Sequence, residues 1–190
     1  MAMAQIWYTP LMKEIKEIEV KARVNDPKTL FKKLKKLGCK FSKAITQYDR
    51  VYNKNGKRRT GSRNGSTTLR LRQQNGKVLF TIKQTLSTEL DCLEKEVLVS
   101  DLNQMEDAIK MMGYLEVVRV NKIRQHAKFK DFTICLDKVE GLGSFIEVEK
   151  ISDGDSQKIM NELMEFLLSL GINKEDRVTK GYDTLLLDKK

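Results

Sequence analysis

The 190-residue chain has the length of one ordinary domain, and its 40% hydrophobic content is enough for a core, which argues against global disorder. A formal net charge of +10 indicates affinity for anions such as nucleic acid, nucleotides, polyphosphate or an acidic membrane surface. No apolar run reaches the length of a membrane span, and three widely spaced cysteines (Cys39, Cys92 and Cys135) form neither a CxxC pair nor a zinc-ligand pattern. We therefore expect a cytoplasmic protein with reduced thiols and no membrane partner. Residues 1–14 are interpreted as an N-terminal extension and residues 15–190 as a single domain.

Residues 17–24 predict a first strand with one charged face and one apolar face. Glu17, Glu19, Lys21 and Arg23 share the first face, and Ile18, Val20, Ala22 and Val24 share the second. Asp26 and Pro27 are typical of the start of a helix, and Gly38 is typical of its end.

The same plan returns twice along the chain. Residues 94–99 predict a strand that leads through Ser100-Asp101 into an amphipathic helix ending at Gly113. Residues 145–149 predict another, leading through Ser152-Asp153 into a helix ending at Gly171. Each unit is a strand with an acidic pair followed by a capped helix, which indicates an internal repeat of plan with little identity.

The segment between the first two units is rich in predicted strands. Residues 47–53 form one strand, and residues 68–73 and 77–84 form a hairpin whose Asn75-Gly76 pair is typical of a type I′ turn. Residues 54–68 are a basic loop, interpreted either as a solvated loop or as a lid. Residues 117–127 and 129–137 predict a further strand pair, and residues 183–187 a last short strand or helix.

Three amphipathic helices need apolar surface to cover, and the charged-pair strands are apolar on one face only. The economical arrangement places the helices outside and turns the charged faces inward, in a barrel or cupped sheet with a wet, polar interior. The alternative is that the charged rows form cross-strand ion pairs on an exposed sheet face. His126 is the only histidine and is interpreted as a strand residue without a catalytic role.

The ordered motifs resemble those of the CYTH, or triphosphate tunnel metalloenzyme, superfamily, and within it class IV adenylyl cyclases and their archaeal and bacterial relatives. The opening ExExK signature is Glu17-Ile18-Glu19-Val20-Lys21. The later matches are Leu69-Arg70-Leu71-Arg72, Thr81-Ile82-Lys83, Glu94-Lys95-Glu96, Lys122-Ile123-Arg124, and the segment 136–149 with its Gly-Leu-Gly-x-Phe element. A lone ExExK occurs in many charged proteins, whereas this ordered set spans residues 15–187.

The resemblance implies an α+β fold, namely a closed antiparallel β-barrel that forms a triphosphate tunnel with helices packed on the outside. It implies that catalysis depends on Glu17, Glu19, Lys21 and Asp137, and that a triphosphate is held by Lys21, Arg70, Arg72, Lys83, Lys122, Arg124 and Lys180. Mg²⁺ or Mn²⁺ would be held by Glu17, Glu19, Glu94, Glu96, Asp137, Glu147 and Glu149, with Glu94 and Glu96 alternatively orienting the basic residues. The sequence departs from the family pattern at Leu93, where many relatives have a basic residue, and at Lys180-Gly181-Tyr182, where an Arg-Ser-Tyr-like element is usual.

Two reactions fit this resemblance. A class IV adenylyl cyclase would convert ATP to cyclic AMP and pyrophosphate, and the Gly-Leu-Gly segment favours this reading. A triphosphatase of the same fold would hydrolyse tripolyphosphate, thiamine triphosphate or a nucleotide. A rival from another class is a polyphosphate or nucleic-acid binding module, which the inward carboxylate pairs argue against because cations alone suffice to bind a phosphate backbone. Relatives often dimerise, so a homodimer is compatible with the family.

Overall fold

The computed structural model describes residues 16–56 and 65–189. Residues 1–14, interpreted above as an N-terminal extension, lie outside the described ranges, and so does most of the basic loop. The strands are β1 (Lys16–Arg23), β2 (Ile45–Lys54), β3 (Thr67–Gln74), β4 (Lys77–Thr88), β5 (Asp91–Val99), β6 (Tyr114–Phe129), β7 (Phe132–Val139), β8 (Gly143–Ser152) and the two-residue β9 (Arg177–Val178). The helices are α1 (Pro27–Lys36), α2 (Leu102–Met111), α3 (Ser156–Ser169) and α4 (Tyr182–Leu187), with a 3-10 turn at Lys174–Asp176.

Eight strands close into an antiparallel barrel in the order β5-β4-β3-β2-β6-β7-β8-β1, and β1 pairs back with β5. The closing seam is short, because it pairs only Glu17 with Cys92 and Ile18 with Asp91. β9 is a ninth strand that pairs with Lys21 and Ala22 of β1, beyond the two residues of β1 that meet β5. The predicted closed barrel is confirmed.

Local sequence signals explain most element boundaries. Asp26 caps α1 and Asp101 caps α2, as predicted, through side-chain oxygens that accept backbone N–H groups of the first turn. α3 begins later than predicted, because β8 runs on to Ser152 and the capping residue is Asp155, whose Oδ1 accepts from Lys158 N at 2.8 Å. Residues Asn75 and Gly76 both have positive φ, which confirms the type I′ turn.

The apolar faces of the barrel are buried against the helices. Ile18 and Val20 of β1 pack with Leu34 of α1 and with Leu163 and Leu167 of α3, all nearly inaccessible to solvent. A second cluster places Ile109 of α2 over β2 and β3. Since the apolar side chains point outward to these helices, the alternate side chains of the same strands face the interior. The three cysteines are free and buried. None of the helices within the described ranges combines the length and apolar character that crossing a bilayer requires.

Candidate active site

Side chains from seven of the eight barrel strands line one interior cavity of about 290 Å³. Together with the β4–β5 turn and the start of α4, these strands contribute nine carboxylates: Glu17, Glu19, Asp49, Glu89, Glu94, Glu96, Glu147, Glu149 and Asp183. Six further lining residues are cations: Lys21, Arg70, Arg72, Lys83, Lys122 and Arg124. The polar interior is therefore present as predicted, and the ion pairs expected on an exposed sheet face lie inside the barrel instead.

The carboxylates on β1 and β8 form an acidic wall. Glu19 and Glu149 occupy directly opposed positions in this strand pair, and Glu17 is the next inward residue on β1. Burial, and then the charge of Glu147, raise the pKa of Glu19 to about 8. Burial, and then the charge of Glu17, raise the pKa of Glu149 to about 7. Burial and the neighbouring carboxylates therefore both favour the protonated forms of Glu19 and Glu149.

Inside the barrel, a largely buried cluster pairs two cations, Lys21 and Arg124, with carboxylates. Lys21 Nζ lies 3.2 Å from Glu19 Oε1 and 3.1 Å from Glu147 Oε1. Arg124 donates to both oxygens of Asp137, at 2.7 and 2.5 Å, and also contacts Glu147. Burial alone would lower the pKa values of Lys21 and Arg124, because it disfavours their charged forms. The charges of the neighbouring carboxylates outweigh this effect, so both pKa values are raised. Both cations stay charged at physiological pH.

The β3–β4–β5 side of the cavity holds a second set of pairs. Arg70 Nη2 lies 3.1 Å from Glu94 Oε1 and 3.3 Å from Glu96 Oε2. Lys83 contacts Glu94 and lies 3.7 Å from Glu17 Oε1. Glu94 and Glu96 thus contact basic residues of the cavity, as an orienting role would require. Both predicted roles, orienting the basic residues and binding metal, stay predictions.

Asp49 is a cavity residue that the sequence reasoning missed. Its two oxygens accept from Arg72 Nε and Nη2, each at 2.7 Å, and both side chains are buried. Burial alone would raise the pKa of Asp49, but the hydrogen bonds and charge of Arg72 outweigh it and hold that pKa at about 2. Period-two alternation along β2 (Gln47, Asp49, Val51) would have placed Asp49 inside the barrel. Arg72, predicted to bind the triphosphate, is already held by this carboxylate.

Lys122 is the least compensated cation of the cavity. Its nearest carboxylate oxygen, Asp137 Oδ2, is 3.7 Å from Nζ. Burial, and then the charge of Arg124, lower the pKa of Lys122 to about 8. An anion bound beside Lys122 would favour its charged form.

The first turn of α4 closes part of the cavity, and the sequence reasoning gave this segment no site residue except Lys180. The Tyr182 hydroxyl donates to Asp137 Oδ2 at 2.9 Å, and its ring centroid lies 4.1 Å from Lys21 Nζ and 4.9 Å from Lys122 Nζ. The structure does not bring the side chain of Lys180 to the cavity, because it is half exposed and pairs with Asp188 at 2.8 Å. His126 lies on β6, as predicted, and its ring contacts Ser42 Oγ outside the cavity lining.

Divalent metal binding fits the chemistry of these donors. Across residues 16–56 and 65–189, no three His, Cys, Asp or Glu side chains already stand close enough to enclose an ion. The acidic wall nevertheless offers only oxygen donors, which Mg²⁺ and Mn²⁺ prefer. Burial, followed by neighbouring carboxylates, holds the pKa values of Glu19 and Glu149 above their usual range, and a bound cation would favour the ionised forms of both. Glu17, Glu19 and Glu149 are therefore the residues that would hold a metal ion.

Comparison with known proteins decides the family. The CYTH domain profile matches residues 16–182. The chain belongs to the CYTH domain family. CYTH proteins are adenylyl cyclase-like proteins or triphosphatases that bind triphosphates and generally depend on a divalent metal.

Individual relatives agree with this assignment. A provisionally named adenylate cyclase of Methanocaldococcus jannaschii is 35% identical over 173 residues, which cover 87% of this chain and 95% of that protein. The adenylate cyclase CyaB of Aeromonas hydrophila is 25% identical over 122 residues, 63% of this chain and 62% of that protein. The solved structure of the PH1819 protein from Pyrococcus horikoshii superposes with a TM-score of 0.76 at 28% identity, covering 92% of this chain and 99% of that one.

Proposed function

We propose that this CYTH protein is a divalent-metal-dependent enzyme that acts on a triphosphate held inside the barrel, and that its reaction is the cyclisation of ATP to cyclic AMP and pyrophosphate. The observation that carries the proposal is the cavity itself, with nine carboxylates and six cations facing one another across about 290 Å³. A triphosphate carries several negative charges at neutral pH, and it would enter a cavity with an excess of acid. Binding a divalent cation together with the triphosphate balances both anionic groups.

The six cations are the residues that would bind and orient the phosphates. Lys83 and Arg70 on one side, and Lys122 on the other, border the same cavity. Their carboxylate partners keep them charged and directed inward before substrate arrives, as the raised pKa values of Arg70 and Lys83 indicate. On binding, phosphate oxygens would take over donors now shared with Glu94 and Glu96. Such preorganised charges reduce the reorganisation that the reaction itself requires.

The acidic wall would supply the complementary half of the site. Glu17, Glu19 and Glu149 would hold the metal, which as a Lewis acid offsets negative charge that builds up on phosphoryl oxygens. In cyclisation, Lys21, Arg124 and Lys122 would stabilise the departing pyrophosphate, because phosphoryl transfer depends chiefly on positioning and on charge stabilisation. Asp137, held by Arg124 and by the Tyr182 hydroxyl, would keep the arginine in place.

The choice of cyclisation is supported by the names of the two curated relatives, and above all by the one that is 35% identical. The cavity residues alone fit hydrolysis of a triphosphate equally well, since both reactions require the phosphates to be bound and oriented in the same way. Residues 15–190 would act as one catalytic domain, of which residues 16–182 match the family profile.

Product analysis tests the proposal. The full chain is incubated with ATP and, separately, with tripolyphosphate, each with Mg²⁺ or Mn²⁺, and the products are separated chromatographically. Cyclic AMP with equimolar pyrophosphate is the expected result, and free phosphate from either substrate would identify a triphosphatase instead. Glu17→Gln/Glu19→Gln is the matched inactive control. Tight, metal-independent and salt-sensitive binding of duplex DNA without turnover would refute the enzymatic proposal in favour of a binding module.

A further inference from the structure

A single carboxylate ties the β4–β5 turn to the start of α4. Glu89 Oε2 accepts hydrogen bonds from Gly181 N at 2.8 Å and from Thr184 Oγ1 at 2.9 Å. Gly181 precedes the first residue of α4 and Thr184 lies in its first turn. The chain separation of 92 residues makes this a tertiary link between a strand hairpin and a distant helix.

α4 depends on such a link. The helix has only six residues, and no side chain of its own sequence caps its start. Helices of this length are marginal without tertiary support. A carboxylate at the amino end of a helix satisfies free N–H groups and interacts favourably with the helix dipole. Glu89 supplies both effects from outside the helix.

The first turn of α4 carries Tyr182 into the buried ionic cluster. Besides its hydrogen bond to Asp137, the Tyr182 ring lies over the ammonium groups of Lys21 and Lys122. The backbone just before the helix also contributes, because Lys21 Nζ donates to the Lys180 carbonyl at 3.5 Å. A displacement of the start of α4 would therefore disturb both lysines and Asp137 together.

The β4–β5 turn, which carries Glu89, also contacts the acidic wall of the cavity. Leu90 O accepts from Glu19 N at 3.0 Å, next to the two residue pairs that close the barrel between β1 and β5. The β4–β5 turn thus contacts the acidic wall through its backbone and α4 through the side chain of Glu89.

We propose that Glu89 is a positioning residue for the chemistry of the cavity. It holds the start of α4 so that Tyr182 keeps Lys21, Lys122 and Asp137 in their working arrangement, and it acts through Tyr182 although its own side chain also borders the cavity. The inference rests on the proposed function as far as activity is concerned. The link between Glu89 and α4 itself is independent of the reaction.

The test compares Glu89→Ala, Glu89→Gln, Tyr182→Phe and the double variant Glu89→Ala/Tyr182→Phe. Glu140→Ala is the matched control, since Glu140 is also a hairpin-turn carboxylate, but its side chain accepts a hydrogen bond from Asn121 of β6 and not from α4. Hydrogen exchange of residues 181–185 and kcat and KM with ATP and tripolyphosphate are measured on the full chain, with thermal unfolding as a check of the fold.

For Glu89→Ala, we expect amide exchange at residues 181–185 to be about tenfold faster and kcat/KM to fall about tenfold, since two hydrogen bonds to a charged acceptor are lost. Glu89→Gln keeps an acceptor oxygen and should recover part of both. Tyr182→Phe should add less than about twofold to the loss in the Glu89→Ala background, because both changes disturb the same contact. Glu140→Ala should change neither quantity.

Unchanged exchange at residues 181–185 in Glu89→Ala, or losses in activity that multiply in the double variant, would overturn the inference. If the wild-type chain turns over neither substrate, the proposed function fails, and the exchange measurement then decides alone whether Glu89 holds α4.

Discussion

Replacing Glu19 by glutamine should make the metal-free protein more stable while it abolishes metal-dependent turnover. Glu19 is buried beside Glu147, and its pKa rises from 4.5 to about 8. Because this folded-state pKa lies above the unfolded value, the folded chain keeps a proton that the unfolded chain releases between pH 4.5 and pH 8. The stability of the wild type therefore falls as the pH rises through this window. Glutamine has nearly the same shape and does not titrate.

The size of the effect follows from the shift. One pKa unit corresponds to about 1.4 kcal/mol, so the wild type should lose about 3 kcal/mol of stability between pH 5 and pH 8 through this group. The Glu19→Gln variant should avoid that loss, and Lys21 keeps a partner because Glu147 Oε1 lies 3.1 Å from its Nζ. The advantage of the variant over the wild type should thus grow by about 3 kcal/mol from pH 5 to pH 8.

Urea unfolding in EDTA at several pH values measures this difference directly. Glu165→Gln, at an exposed position of α3, is the control and should run parallel to the wild type at every pH. A difference between Glu19→Gln and wild type that is independent of pH, or that shrinks as the pH rises, would refute the reasoning. Such a result would mean that Glu19 is ionised in the folded metal-free protein and that folding does not raise its pKa.

Three further predictions concern other parts of the cavity. Binding of Mg²⁺ at pH 7 should release roughly one proton, because Glu19 and Glu149 must ionise to bind it, and Glu149→Gln should release less; calorimetry in buffers of different ionisation enthalpy counts the protons. Asp49→Asn should cost about 3 kcal/mol of unfolding free energy because it leaves Arg72 buried without a counter-charge, and Asp49→Asn/Arg72→Met should recover part of it in denaturant titrations. Lys83→Ala should weaken tripolyphosphate binding about tenfold in calorimetry, whereas Lys95→Ala, at an exposed position of β5, should not; equal affinities for the two variants would remove Lys83 from the site.

The fold was predictable because its signals are local and repeated. Alternation around the acidic pairs of β1 and β8 separated the carboxylates from the apolar residues between them, and helices capped by Asp26 and Asp101 required an apolar surface to cover. The Asn75-Gly76 turn fixed the register of one hairpin. The late start of α3 was missed, because the sequence offers two capping groups in succession and only the length of β8 decides between them.

Most of the charged residues that line the cavity were predictable from the motifs, but their pairings were not. Motifs place Arg72 and Lys83 on inward positions, yet which carboxylate each one meets depends on the register between strands. Asp49 was overlooked because it stands alone on β2 without a second acid two residues away. The contribution of Glu89 depends on a contact with α4 that joins segments far apart in the chain. No local sequence pattern predicts such a contact.

The count of charges in the cavity changes the meaning of the high isoelectric point. Six cations against nine carboxylates give the lining a formal charge of −3, so the remainder of the chain carries +13. The excess positive charge of the sequence therefore comes from lysine and arginine outside the lining, and such charge draws polyanions towards a molecule from a distance and weakens as counter-ions accumulate. In the proposed function, capture from solution and retention within the barrel would thus be separate tasks, the first performed by charges outside the lining and the second by the lining cations together with a metal ion that accompanies the ligand.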